Sequence, residues 1–131
     1  MKKSVLLLFS IILFVSCSNL NNKLEKSLSD IIGFKPTENE VIKEHNRQII
    51  LWKNVNLGKR DKIKNSVDKL FGSLPIKESE LTQRYDENGN SIENQFVQYN
   101  EYENTDSKIE LSFYSYSDSD NIDVRLYITT K

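Results

Sequence analysis

Residues 108–130 read KIELSFYSYSDSDNIDVRLYITT, and the period of their apolar positions decides the fold. Ile109, Leu111 and Phe113 alternate with polar neighbours, Ser117 to Asn121 supply turn chemistry, and Ile122, Val124, Leu126 and Ile128 alternate again. A period of two with β-branched and aromatic residues either side of a polar turn describes a β-hairpin with one apolar face. Closing it around Asp118-Ser119 sets Phe113 opposite Val124, Leu111 opposite Leu126 and Ile109 opposite Ile128. A sheet face this apolar has to be covered, and the cover has to come from upstream.

Immediately upstream, ELTQRYDENGNSIENQF (80–96) carries Asn88-Gly89 at its centre, the pair favoured in a two-residue type I′ turn. Placing the turn there sets Tyr85 opposite Ile92 and Leu81 opposite Phe96 on one face. Val97 and Tyr99 fall on the other parity, which requires a bulge near Phe96.

Further back the period changes to that of a helix. Ile63, Val67, Leu70 and Phe71 make one stripe, ended by Gly72 and Pro75. Thr37 and Glu40 have capping-box spacing, which predicts a helix over 38–53 with Val41, His45, Ile49 and Trp52 along one side. The β-branched start of Ile49-Ile50-Leu51-Trp52 reads equally as strand. Leu24, Leu28, Ile31 and Ile32, stopped by Gly33, give a short leading helix. The expected fold class is α+β: two or three N-terminal helices packed on one face of a four-stranded antiparallel meander. Residues 37–131 would form a single domain, with 17–36 as a tether that includes the short helix.

The first residues have a different character. Met1-Lys2-Lys3 is basic and Val5 to Val15 is apolar apart from Ser10, a run well short of the ~20 residues of a membrane-spanning helix but fitting for a secretory signal. Residues 1–16 are therefore read as a signal peptide. Without Lys2 and Lys3 the chain has 16 bases against 19 acids, a balance that excludes nucleic acid as an obvious partner.

Cys17 is the only cysteine, so no intramolecular disulfide can form. A buried core role conflicts with the polar Ser18, Asn19, Asn21 and Asn22 that follow, and a catalytic thiol would need a base and a folded pocket. The string FVSCSN resembles the lipobox of bacterial lipoproteins. There a small residue precedes a cysteine that is diacylated on sulfur, becomes the new N-terminus and is usually N-acylated. The resemblance makes Cys17 the lipidation site and the membrane a partner through the lipid anchor. Ser18, where an aspartate would signal inner-membrane retention, implies the outer membrane, facing the periplasm or the cell surface. An ordinary signal-peptidase site with Ser16 and Ser18 as its small pair is the alternative.

Residues that carry chemistry are scarce. His45 is the only histidine and has no assignable nucleophile, and one histidine cannot anchor a zinc site, so no metal, cofactor or catalysis is expected. Asp86, Asn88 and Asn90 begin like a calcium loop, but Ser91 and Val97 stand where glycine and glutamate are needed. Asp118, Asp120 and Asp123 read as a solvated turn, with a weakly held cation as the alternative. All six tyrosines lie in the strand half. Tyr114, Tyr116, Tyr127 and Arg125 take the parity opposite the aliphatic core and, with Tyr99, form a candidate binding surface. Cross-strand packing for stability is the alternative role for these rings.

NLGKRDKIKNSVDKLFGSLP (56–75) resembles a segment of the β-lactamase-inhibitor-protein-like domains and the SmpA/BamE outer-membrane assembly lipoproteins. In these a glycine-led turn opens a helix that ends at Phe/Leu-Gly-x-x-Pro. The resemblance implies a helix pair ahead of an antiparallel sheet, and a non-catalytic protein-binding or scaffolding lipoprotein whose partner is another envelope protein. Two alternatives are a lipoprotein immunity factor neutralising an exported toxin, where the net negative charge would suit a basic partner, and an envelope hydrolase using paired carboxylates such as Glu101 and Glu110.

Overall fold

In the computed structural model, which describes residues 20–131, the hairpin forms with the register its alternation calls for: Ile109 faces Ile128, Leu111 faces Leu126 and Phe113 faces Val124. Residues 1–16, read as a signal peptide, and Cys17 lie outside the described residues. The elements in chain order are helix α1 over 20–32, strands β1 (Glu38–Ile42) and β2 (Arg47–Asn56), helix α2 (Arg60–Phe71), and strands β3 (Lys77–Glu78), β4 (Thr82–Tyr85), β5 (Ser91–Glu103), β6 (Ser107–Tyr116) and β7 (Asn121–Thr130). Among the described residues these make one seven-stranded antiparallel sheet in the order β1-β2-β7-β6-β5-β3, with β4 sharing the β5 edge.

This corrects the expected fold class of helices followed by a four-stranded meander. The segment 38–53 is a hairpin that extends the sheet beyond β7, and α2 lies between strands instead of ahead of them. The capping-box spacing misleads because Thr37 serves a strand end: its hydroxyl accepts the Lys53 N–H at 3.1 Å and its own N–H reaches the Leu51 carbonyl at 2.7 Å. The turn closes with Asn46 in the left-handed region at φ 48°, a conformation asparagine tolerates and a helix interior forbids. Ile50, Leu51 and Trp52 are buried in succession, Ile50 and Trp52 in the core shared with the helices and Leu51 on the opposite face beside Arg125. Val41 is 63% exposed, and His45, placed with it on one helical stripe, is exposed in the turn.

The second hairpin also departs from its expected register. Asp86 accepts N–H bonds from Asn88 and Asn90, both at 2.9 Å, which enlarges the two-residue turn into a loop over 86–90 and pairs Tyr85 with Ser91 instead of Ile92. Asn94, at φ 63°, marks the irregularity, after which Gln83 faces Phe96 and Thr82 faces Val97. Leu81 and Tyr85 are exposed as a result.

Both helices cover the same face of the sheet. Leu24, Leu28 and Ile32 of α1 and Ile63 and Val67 of α2 join Ile50, Trp52, Val55, Tyr102, Ile109, Leu111, Phe113, Ile122, Val124, Leu126 and Ile128 in one core. Residues read from the sequence as part of a tether are thus in the packed unit. Each such side chain removed from water contributes about 1.5–3 kcal/mol before entropy is set against it. Polar groups inside the sandwich have partners: Trp52 Nε1 donates to Ser29 Oγ at 3.2 Å, and the Lys59 ammonium donates to the Ile32 carbonyl at 2.7 Å, closing the C-terminal end of α1.

Tyr102, fully buried on β5, donates its hydroxyl to Asp68 of α2, and Lys64 bridges Asp68 and Glu78 at 3.3 and 3.1 Å. Burial first, and then the carboxylate of Asp68, push the Tyr102 phenol far above its usual range. Up to about pH 10 both folded and unfolded chains keep this proton; above it only the unfolded chain releases it, so stability falls as pH rises past about 10. Denaturation midpoints taken through this range should fall less steeply in Tyr102→Phe than in the parent. Equal slopes would contradict the buried phenol.

Candidate functional site

The face of the sheet away from the helices carries the side chains of opposite parity, and strand register arranges them in rows. One row runs Ile42, Arg47, Thr129, Lys108, Glu103; the next Glu40, Ile49, Tyr127, Glu110, Glu101, Lys77; the next Glu38, Leu51, Arg125, Ser112, Tyr99; the last Asp123, Tyr114, Val97, Thr82. Tyr116 lies beyond, opposite Gln95. All five residues singled out from the sequence therefore share one face.

They are not equally engaged. Arg125 is the hub: its Nη1 donates to the Tyr127 hydroxyl at 2.7 Å and approaches the Tyr114 hydroxyl at 3.4 Å. Its guanidinium lies 4.8 Å from the Tyr114 ring centroid and 5.6 Å from that of Tyr127, within cation–π range. A second guanidinium, Arg84 from β4, lies 5.0 Å from the same Tyr114 ring and donates to Gln95 Oε1 at 3.0 Å. Tyr116 is tied separately to Asp123 at 2.8 Å, and Tyr99 sits beneath the Lys77 ammonium at 5.4 Å. Leu51 and Ser112, beside Arg125 in its row, are buried, so the rings and the guanidinium pave the centre of the face.

The charge states here are fixed. Burial raises the Tyr114 phenol although Arg125 and Arg84 oppose the shift, and burial followed by Asp123 raises Tyr116. For Arg125 burial works against the charge, yet the Tyr127 and Tyr114 oxygens outweigh it and the pKa is raised. Arg125 stays a cation between the Tyr114 and Tyr127 rings. Arg125 Nε is buried with no acceptor, and an unmade bond of this kind costs about 1–3 kcal/mol.

Beside Tyr127 lies a depression of about 290 Å³ lined by Arg47, Lys108, Glu110, Tyr127 and Thr129. Glu101 and Glu110 are direct cross-strand neighbours, but only Glu110 lines the depression, and Lys77 stands opposite Glu101. Among the described residues no three His, Cys, Asp or Glu side chains converge as a metal site would require. The Asp123 carboxylate accepts from the Asn54 N–H at 3.1 Å as well as from Tyr116.

Arg84, Arg47, Lys108, Leu51 and Ile49 belong to this surface and were missed from the sequence. For Arg84 the signal was present: its parity in the hairpin places it on the outer face. Arg47, Ile49 and Leu51 fell in the segment read as helix, where no sheet face could be assigned. No helix among the described residues is long and apolar enough to cross a membrane. Comparison of the chain with protein-family models, curated proteins and solved structures gives no match.

Proposed function

We propose that the chain is a lipid-anchored protein of the cell envelope that docks a partner protein on the outer face of its sheet, without catalysis. The anchor is Cys17, and the location is the outer membrane, facing the periplasm or the cell surface. The observation that carries the docking role is the Arg125 cluster on a face that neither helix covers. Tyrosine and arginine are the residue types that concentrate binding energy in interfaces, and rings already packed lose little entropy when a partner arrives. Cross-strand packing alone gives no reason for a guanidinium with a buried, unpaired Nε at the centre of the face.

Tyr114→Ala and Tyr127→Ala should each lower partner capture in intact cells roughly tenfold while costing about 0.5–1.5 kcal/mol of stability. Crosslinking followed by mass spectrometry gives the first quantity and urea denaturation the second. Loss of stability with undiminished capture would return these rings to a packing role.

A further inference from the structure

We infer that a crevice between α2 and β5, on the helix side of the sheet, binds a neutral primary carboxamide. Asn100 is out of place where it stands. Strand register sets it in the row Asn100, Leu111, Leu126, Ile50, whose other three members are fully buried aliphatics. Among the described residues only Asn100 and Ser112 are both polar and buried. Ser112 donates to Glu110 at 3.0 Å, whereas the side-chain amide of Asn100, a residue only 2% exposed, makes no hydrogen bond to another described residue and is the exception among the polar groups inside the sandwich. A buried carboxamide without partners costs stability that a leucine in the same row would not, so packing does not account for it.

Asn100 lines a crevice of about 70 Å³, together with Gln98 of β5, Phe113 of β6, and Arg60, Asp61 and Lys64 from the first two turns of α2. The space holds more than one water, or the three heavy atoms of a carboxamide head. Its charges are balanced on the spot: Arg60 Nε lies 3.6 Å from Asp61, and Lys64 lies 3.3 Å from Asp68 and 3.1 Å from Glu78. Neither sign is left over, so a charged occupant would bring its desolvation cost with no free counter-charge to offset it. What is left over is the Asn100 amide, with two N–H donors and a carbonyl. Its complement is a second carboxamide, which accepts one bond and returns another in a planar pair. Arg60, whose one side-chain hydrogen bond is the long contact to Gln98 Oε1 at 3.4 Å, supplies a further donor at the mouth, and Phe113 supplies an apolar wall. The same chemistry is carried by a free amide and by an asparagine or glutamine side chain. Because the crevice lies on the face opposite the tyrosines, the site is independent of the docking role proposed above.

The test is NMR of the full-length, isotope-labelled chain in detergent, titrated with acetamide and, at matched ionic strength, with acetate and with methylammonium. Saturable shifts of the Asn100 side-chain N–H pair and of Arg60 Nε–H are expected with acetamide alone. Asn100→Leu should weaken acetamide binding roughly tenfold or more and raise the urea midpoint of the free chain. Arg60→Ala, at a partly exposed position, should weaken binding severalfold and keeps the test decisive if Asn100→Leu folds poorly. A Gly-Gln-Gly peptide that binds tighter than acetamide assigns the group to a protein side chain, and the reverse order assigns it to a free amide; either result supports the site. Shifts that never saturate would leave Asn100 solvated by water only and overturn the site. So would binding undiminished in both variants, or acetate or methylammonium bound at least as tightly as acetamide.

Discussion

Trp52→Ala should lower the free energy of unfolding by about 3–5 kcal/mol, a large share of the 5–15 kcal/mol typical of a domain. The indole is fully buried in β2, packed in the core that the sheet shares with α1, and its one polar atom is bonded to Ser29 of α1. Removing it opens a cavity at the helix–sheet junction and strips Ser29 of its partner. Val41→Ala gives the matching control. A helix over 38–53 would put Val41 and Trp52 on one stripe and make both costly, whereas the strand leaves Val41 63% exposed and its replacement within about 0.5 kcal/mol of neutral. Urea denaturation followed by far-UV circular dichroism measures both, and a Val41→Ala loss comparable to that of Trp52→Ala would contradict the hairpin.

Cys17→Ser should abolish palmitate labelling and release the chain from the membrane fraction. The expected effect is all-or-none because attachment depends on several acyl chains: one gives marginal, reversible binding, while two or three give a stable anchor. Metabolic labelling with membrane fractionation is the measurement. Labelling that persists in the variant would sink the anchor and favour release through an ordinary signal-peptidase site.

What could be read from the residues depended on whether one signal stood alone. In β6 and β7 the apolar positions keep strict parity over both strands, and a register slip would expose the whole aliphatic set, so the pairing followed from the alternation. The α2 stripe was as clear, and the helix runs Arg60–Phe71 with Gly72 beyond it in the left-handed region at φ 80°. In 38–53 two signals competed. Val41, His45, Ile49 and Trp52 satisfied helical spacing by coincidence, while the property that prevailed, pairing of β2 against β7, is a long-range one invisible in a local window. At 86–90 the Asp86 side chain bonding ahead to Asn88 and Asn90 outweighed the Asn-Gly preference. The parity of Tyr114, Tyr116, Arg125 and Tyr127 put them on one surface, but the second arginine emerges only when β4 is in place beside them.

Cys17 stands only four positions before Asn21, so the proposed anchor would bear on more than attachment. Asn21 donates to Gln48 at 3.3 Å and shares a hollow with Arg47, Ile128 and Thr130, so the start of the helix lies at the Arg47–Thr129–Lys108 end of the sheet. Four residues span at most about 14 Å, whatever path they take. On the proposed anchor at Cys17, that end of the sheet would lie toward the bilayer, with Tyr116, eight residues further along β6 than Lys108, about 26 Å away along the strand. The proposed partner's point of contact would then lie within a few nanometres of the leaflet. A protein seated in the same membrane would meet this face by diffusing in two dimensions, and a freely dissolved one would have to come down to it.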